Sequence, residues 1–309
     1  MELLYVKDKG IEEIVNNNYD LVIFSCGYEQ RSTSLSKILN KNNTKGCLVL
    51  LFEEDQTMGN RLDNQHYFNS FSNHKIEMRF DDEMPIYVFL NSFFSEHKTK
   101  RAKILVDYSS MSRLWYISVL NWINYCSLES VNIDFVYTVG EYKNLLNPLV
   151  ISEIHAIPGH EGVTTHSKTI SVFGLGFDSL TTLCVLDKLE PSKVHSFIAI
   201  PVHKEYENKA EEYNKDFIEN YSEPVQYYPL TSIEKTYRLM SELIYPYKDE
   251  YNISFIPMGP KPHVLATALL SIKYPEIINL YVKGKRRMPP NVVSNETYIC
   301  TRVIFKDHI

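Results

Sequence analysis

The chain lacks a basic excess, a paired-cysteine motif, a long apolar run and a leader-like start. Its 38 Asp and Glu outnumber 32 Lys and Arg, for a formal net charge of -6 and a pI near 6.0. Proteins that coat long nucleic acids carry a positive surface, so that class is disfavoured, while local basic clusters can still hold small anions. Five cysteines, at 26, 47, 126, 184 and 300, form no C-x-x-C. Structural zinc wants close ligand pairs, so no metal is expected. Buried free thiols in a reducing compartment are the plain expectation. No apolar stretch approaches the ~18 residues that cross a bilayer. The opening MELLYVKDKGIEEIV has no basic segment followed by an apolar one, so nothing marks it as a secretory leader. These absences describe a soluble, cytoplasmic protein without a membrane partner.

What is present is an α/β alternation. The length is 309 residues and the apolar content 44%, enough for two cores at roughly 150 residues per domain. In the first half, strands are expected at LVIF (21–24), CLVLLF (47–52), KIEMRF (75–80), KILVDY (103–108) and IDFVYTV (133–139). Helices are expected at STSLSKIL, PIYVFLNSFFSEH (85–97) and SRLWYISVLNWINY (112–125). Near-continuous apolar strands between helices indicate parallel sheets covered on both faces. The second half repeats the scheme. Strands are expected within 168–180, 194–200, 225–230, 252–263 and 277–282, with helices at 209–221, 236–247 and 264–272; ETYICTRVIF (296–305) alternates like an added edge strand.

The halves align. SCGYEQRS matches GLGFDS, LVLLFEED matches SFIAIPVHKE, ILVDYSSMSR matches SFIPMGPKPH, and IDFVYTVG matches INLYVKGK. The offset stays near roughly 150 residues, one domain length. The expected architecture is therefore two similar Rossmann-like parallel-sheet domains in tandem, an internal duplication, with domains 1–158 and 159–309. Pro158, Gly159 and Gly162 mark the boundary segment, since these residues interrupt regular elements.

Ligands of open parallel sheets sit beyond the carboxyl ends of the strands, so four loops carry the candidate site. In SCGYEQRSTS, four residues separate Cys26 from Arg31 where a tyrosine-phosphatase loop needs five, and the sixth position after Cys26 is Ser32. Recognition is the better use of this loop. Gly27 permits close backbone approach, Arg31 offers a phosphate fork, Ser32 and the following helix start offer an anion seat, and Glu29 suits a ribose hydroxyl. The alternative is a serine-capped helix with a surface Glu29–Arg31 pair. In VDYSSMSR, Asp107 ends an apolar strand and Ser109, Ser110 and Arg113 follow. Arginine at a helix start opposes the dipole, which a bound anion would resolve; the alternative is an ordinary serine cap. In FGLGFDSL, Gly176 belongs to a G-x-G whose third glycine is replaced by Ser179, and Asp178 either caps the helix or meets a ligand. In PMGPKPH, Gly259, Lys261 and His263 open an Ala/Leu helix, and His263 is either a helix-start residue or a ligand contact. KGKRR (283–287) adds a cationic cluster or a solvated face.

A strand ending in a small-polar loop, with a later strand followed by a small-polar-Lys/Arg helix start, resembles the CARF and SAVED ligand-binding domains of prokaryotic antiviral signalling. Here the matching residues are Ser25 to Ser32 with Asp107 to Arg113, and Gly174 to Ser179 with Gly259 to His263. The resemblance implies two Rossmann-like units that bind a cyclic or linear oligonucleotide second messenger between them, in a bacterial defence system. Members usually carry a fused effector, and this chain has no residues left over for one, which leaves a stand-alone sensor, a messenger-degrading enzyme, or a defence component working with a separate effector protein chain. The expected function is nucleotide binding, with phosphates on Arg31, Arg113 and Lys261, Glu29 and Asp107 on sugar or base, and Tyr28, Tyr108 and Phe177 stacked on bases. The alternative is a nucleotide-cleaving hydrolase with Asp107 or Glu29 as base or nucleophile. A third possibility is an interaction protein whose 22 Tyr and 15 Phe serve an interface. No cofactor is implied.

Overall fold

A computed structural model describes residues 1–54, 56–72, 74–142, 149–203, 206, 208–285 and 292–307. The chain forms two compact units: Met1–Lys143 with Asn291–Ile309, and Asn144–Pro290. Among the described residues, no helix is long and apolar enough to cross a membrane.

The first unit begins with β1 (Glu2–Lys9), α1 (Ile11–Val15) and β2 (Tyr19–Cys26), followed by a 3-10 turn (Gln30–Thr33) and α2 (Ser34–Ile38). It continues through β3 (Thr44–Phe52), α3 (Arg61–Phe71), β4 (His74–Met78), α4 (Met84–Glu96), β5 (Arg101–Asp107), α5 (Arg113–Asn121) and β6 (Ser130–Tyr142). The sheet order is β1, then β13 (Val292–Lys306), β6, β5, β2, β3 and β4. Strands β2 to β6 run parallel, while β13 pairs antiparallel with β6 and β1 antiparallel with β13. Leu21 to Phe24 and Ile104 to Val106 have no exposed surface. That double-sided burial explains why these strands read as unbroken apolar runs. One side packs Val22, Phe24 and Cys26 with Leu35, Val49, Phe68 and Val136.

The second unit contains β7 (Val150–Ala156), β8 (Thr169–Leu175), α6 (Ser179–Leu189), β9 (Lys193–Ile200), α7 (Lys209–Tyr213), α8 (Lys215–Tyr221) and β10 (Gln226–Pro229). It ends with α9 (Ile233–Ile244), β11 (Asn252–Pro257), α10 (Lys261–Lys273) and β12 (Ile278–Lys285). The order is β10, β9, β8, β11, β12, β7. Its five parallel strands β8 to β12 thus repeat the sequence of β2 to β6: third, second, first, fourth, fifth. Each sheet gains an antiparallel neighbour on its fifth strand. The four loop pairs matched along the sequence fall after equivalent strands of this Rossmann-like order.

Three expectations are corrected. The division at 158/159 does not hold, because β7 pairs with β12 while 292–306 return to the first sheet. The tail is no edge strand, since the N-terminal residues supply β1 outside it. The charged segment 209–221 is two helices broken at Asn214, whose Nδ2 donates to Gly176 O and Ala210 O, both at 2.7 Å. In α9 the start at Ile233 follows from Ser232, whose Oγ accepts from Lys235 N at 3.0 Å, a serine cap that fixes the first turn. Of the five free thiols, Cys26 and Cys300 are buried and Cys184 is exposed.

The returning strand is tied to the first unit by charge as well as by its ladder. Arg302 meets Asp134 through Nε at 2.7 Å and a terminal nitrogen at 2.8 Å, and Tyr19 Oη donates to the same carboxylate at 2.7 Å. Asp134 is 1% exposed. Removing one partner of a buried pair leaves an uncompensated charge, at about 3–5 kcal/mol. Arg302→Ala should therefore lower the urea midpoint of the transition read by tryptophan fluorescence, since both tryptophans, Trp115 and Trp122, lie in the first unit. An unchanged midpoint would show that the returning strand does not hold this unit together.

Candidate functional site

In each sheet the strand order reverses between the first and fourth parallel strands, β2/β5 and β8/β11. Such reversals leave a crevice at the carboxyl ends, because the two following connections depart to opposite faces. All four loops selected from the sequence flank these two points.

In the first unit the loops meet. A Cβ added to Gly27 would lie 3.1 Å from Ser110 Cβ, so only glycine permits this approach at ease. Ser110 Oγ donates to Glu29 Oε2 at 3.3 Å, and Arg31 Nε donates to the same oxygen at 2.7 Å. Arg31 is not presented outward as a phosphate fork. It is 2% exposed, a terminal nitrogen donates to Thr138 O at 2.8 Å, and its guanidinium lies 4.8 Å from the Tyr137 ring centre. Ser32 also turns inward: its hydroxyl donates to Ser25 O at 2.6 Å and accepts from Gly27 N at 3.3 Å, closing the turn. Its role is structural rather than an anion seat.

Asp107 and Ser109 form a second buried pair. Asp107 Oδ1 accepts from Ser109 N at 3.1 Å and Ser109 Oγ at 2.5 Å, and that hydroxyl accepts from Thr138 N at 2.8 Å. At 2% and 1% exposure, both are framework for the crevice rather than its lining. Ser112 precedes α5 without capping it, since its Oγ donates to Phe80 O at 2.6 Å. Half-buried Arg113 opens the helix. Of the proposed stacking rings, Tyr108 is fully buried, with Tyr116 at 5.0 Å and Tyr137 at 5.5 Å between ring centres, so it cannot receive a base. Tyr28 is half-buried. Cys26 is a packing thiol: it has no exposed surface, and burial pushes it up to about 11, far from the thiolate that nucleophilic catalysis needs.

The sequence reading passed over α3, which fixes the loop after β2. Asn64 Nδ2 donates to Gly27 O and Glu29 O, each at 2.9 Å, and Asn60 N donates to Tyr28 O at 2.9 Å. Arg61, 1% exposed, donates to Cys26 Sγ at 3.3 Å and Gln65 Oε1 at 2.7 Å. The available signal was Asn60, Arg61 and Asn64 clustered just past a parallel strand. That signal is weak because the helix is mostly polar.

The second unit uses equivalent loops differently. A Cβ on Gly176 would lie 3.1 Å from Met258 O, and one on Gly259 3.1 Å from Leu175 O, so backbone packs on backbone. Asp178 is the helix cap: Oδ1 accepts from Thr181 N at 3.1 Å and Oδ2 from Leu149 N at 2.8 Å. Ser179 opens α6 and Lys261 opens α10, both half-buried. His263 is no ligand contact. It is 1% exposed, with Phe197 at 5.4 Å and Tyr228 at 6.3 Å between ring centres. Burial drives its imidazole down to about 3. Within the KGKRR cluster, Lys283 pairs with Glu153 at 3.9 Å; Arg286 and Arg287 lie outside the described residues. Among the described residues, no group of three potential ligands is placed to hold a metal.

No protein-family profile matches the chain, and no curated protein matches it. Among solved structures, an N-terminal ketoreductase from the macrolactin assembly line aligns over 90% of this chain and 72% of its own, at 9% identity and a TM-score of 0.24. A multidomain structure with adenylation, ketoreductase and pseudo-Asub parts, from a keto acid-selecting NRPS module, aligns over 87% and 31% at 11% identity and 0.25. UDP-GlcNAc 2-epimerase from Neisseria meningitidis, bound to UDP-GlcNAc, aligns over 83% and 92% at 11% identity and 0.23. Scores this low carry no argument about activity, and the Rossmann-like assignment rests on strand order.

His263 has a measurable consequence. Its value of about 3 lies below the ordinary 6.5, so the neutral ring's contribution is fully present above pH 6.5 and is lost as pH falls toward 3. Burial also lowers His160, to about 4, and lowers His195. The loss from one such group approaches about 1.4 kcal/mol per pH unit. His263→Phe should therefore flatten the fall in urea midpoint between about pH 7 and about pH 5, followed by far-ultraviolet circular dichroism. Identical pH slopes in variant and parent would contradict the buried neutral imidazole.

Proposed function

We propose that the chain is a nucleotide-binding protein, with the crevice between the β2 and β5 loops as its recognition site. The observation that carries this reading is the junction of Gly27, Glu29 and Ser110 at the strand-order reversal of the first unit, the position where open α/β sheets receive ligands. Glu29 takes a ribose hydroxyl or a base amino group. Arg31 acts behind it, holding the carboxylate in place at 2.7 Å. The phosphate goes to the first turn of α5, where the helix dipole attracts an anion, and to Arg113 at that helix start.

The resemblance to CARF and SAVED domains supports an oligonucleotide second messenger as ligand and a role in bacterial antiviral defence with a separate effector chain. Binding is favoured over cleavage because both candidate carboxylates are engaged within the protein, Asp107 with Ser109 and Glu29 with Arg31.

Arg113, on the rim, is the informative substitution; Arg31 belongs to the framework, and its loss would confound binding with unfolding. Thermal shifts against mono-, di- and cyclic oligonucleotides should identify a stabilising ligand, which at ~100 times its dissociation constant adds about 2.7 kcal/mol. Arg113→Ala should weaken that ligand roughly tenfold or more, as expected for a lost charged hydrogen bond. An unaltered affinity would remove the phosphate from α5, and a nucleotide converted during incubation would favour the hydrolase.

A further inference from the structure

We infer that the outward face of α4 is the contact through which two copies of this chain pair, helix against antiparallel helix. No residue of the β2/β5 crevice takes part, so this contact stands or falls apart from the proposed function.

Residues 84 to 95 of α4, MPIYVFLNSFFS, contain no charged side chain. A helix without a charged face is ordinarily covered on every side. Its inner side is accounted for. Ile86, Leu90, Phe93 and Phe94 are buried, and Phe94 stacks on Trp122 at 5.3 Å between ring centres. The opposite side is open. Met84 is 59% exposed and Val88, one turn on, is 61% exposed. Tyr125 widens the patch: it is 70% exposed, and its ring centre lies 5.9 Å from that of half-buried Tyr87. Along the same face follow Asn91, Ser92 and Ser95, all exposed, at the three- and four-residue steps that keep side chains on one side of a helix. Clustered apolar surface of this kind marks an interaction site.

Charge selects the occupant. Asp82 precedes α4, its Oδ1 accepting from Met84 N at 3.1 Å, and exposed Lys98 follows His97 at the other end. Glu96, one residue past Ser95, sits about 100° away from it around the helix. A second copy turned end for end meets this arrangement with its own. About a two-fold axis at the level of Leu90, Val88 of each copy comes opposite Ser92 of the other, and Asp82 comes opposite Lys98. One register therefore satisfies both the packing and the charge. Met84 and Val88 lie over the small Ser92 and Ser95, which lets the helices approach closely. Each helix start lies beside the other's carboxyl end, so the dipoles attract. Such a contact is self-complementary, as a two-fold interface must be. With 13 residues in α4 it is also small, so the pair is weak and concentration-dependent.

Sedimentation velocity of the full chain tests the pairing. A species of 36.1 kDa should give way to one of twice that mass as concentration rises from about 1 to about 300 µM, the range that brackets a weak complex. Val88→Glu should raise the dissociation constant about tenfold or more, since it brings like charges together near the axis. Its circular dichroism and unfolding midpoint should match the parent, because Val88 is exposed. Lys98→Glu should weaken pairing roughly threefold or more, since the axis repeats the lost ion pair. Adding Asp82→Lys to that variant should restore it. A single 36.1 kDa species at every concentration overturns the inference, as does pairing undiminished by Val88→Glu. A double variant that pairs no better than Lys98→Glu alone overturns the antiparallel register.

Discussion

A parallel strand buried on both faces takes a polar side chain along its length only where a partner meets it. It otherwise delivers its polar groups beyond its carboxyl end, where each needs a partner or a ligand. Strands β2 and β5 obey this constraint closely: apolar residues run to Phe24 and Val106, and serines, carboxylates and an arginine follow at once. The fold then satisfies these groups locally. Arg31 bridges Glu29 and Thr138 O, Ser32 returns to Ser25 O, and Asp107 is held by Ser109. What remains partly exposed is a smaller set, led by Glu29 and Arg113.

The same topology solves the problem in another way in the second unit. There glycines at 176 and 259 bring backbone against backbone, Asp178 caps its own helix, and His263 joins the core. The polar framework of the first reversal is replaced by close packing, and partly exposed rings gather over β8 and β9 instead. Two sheets of one strand order therefore present different chemistry, which is why fold alone does not assign function.

The ends of the chain illustrate how distant segments complete a sheet. β13 fills the position between β1 and β6, and its Arg302 neutralises Asp134 from more than a hundred residues away in sequence. A buried carboxylate at that position is tolerable only because the cation arrives with the strand.

The sequence by itself determined the α/β class, the two-fold repetition and the loops at the strand ends, because apolar runs and polar punctuation are local properties of a chain. It also singled out Gly27, Glu29 and Ser110, because they directly follow buried strands. Only the tertiary structure decided which side chains face inward. Arg31 and Ser32 look like ligand groups in a linear reading, and Asn64 looks like helix surface, since hydrogen-bond partners such as Thr138 O and Glu29 O come from elsewhere in the fold. The domain boundary was likewise a tertiary matter: pairing of β13 with β6 and of β7 with β12 depends on backbone ladders between remote segments, and no local pattern records them.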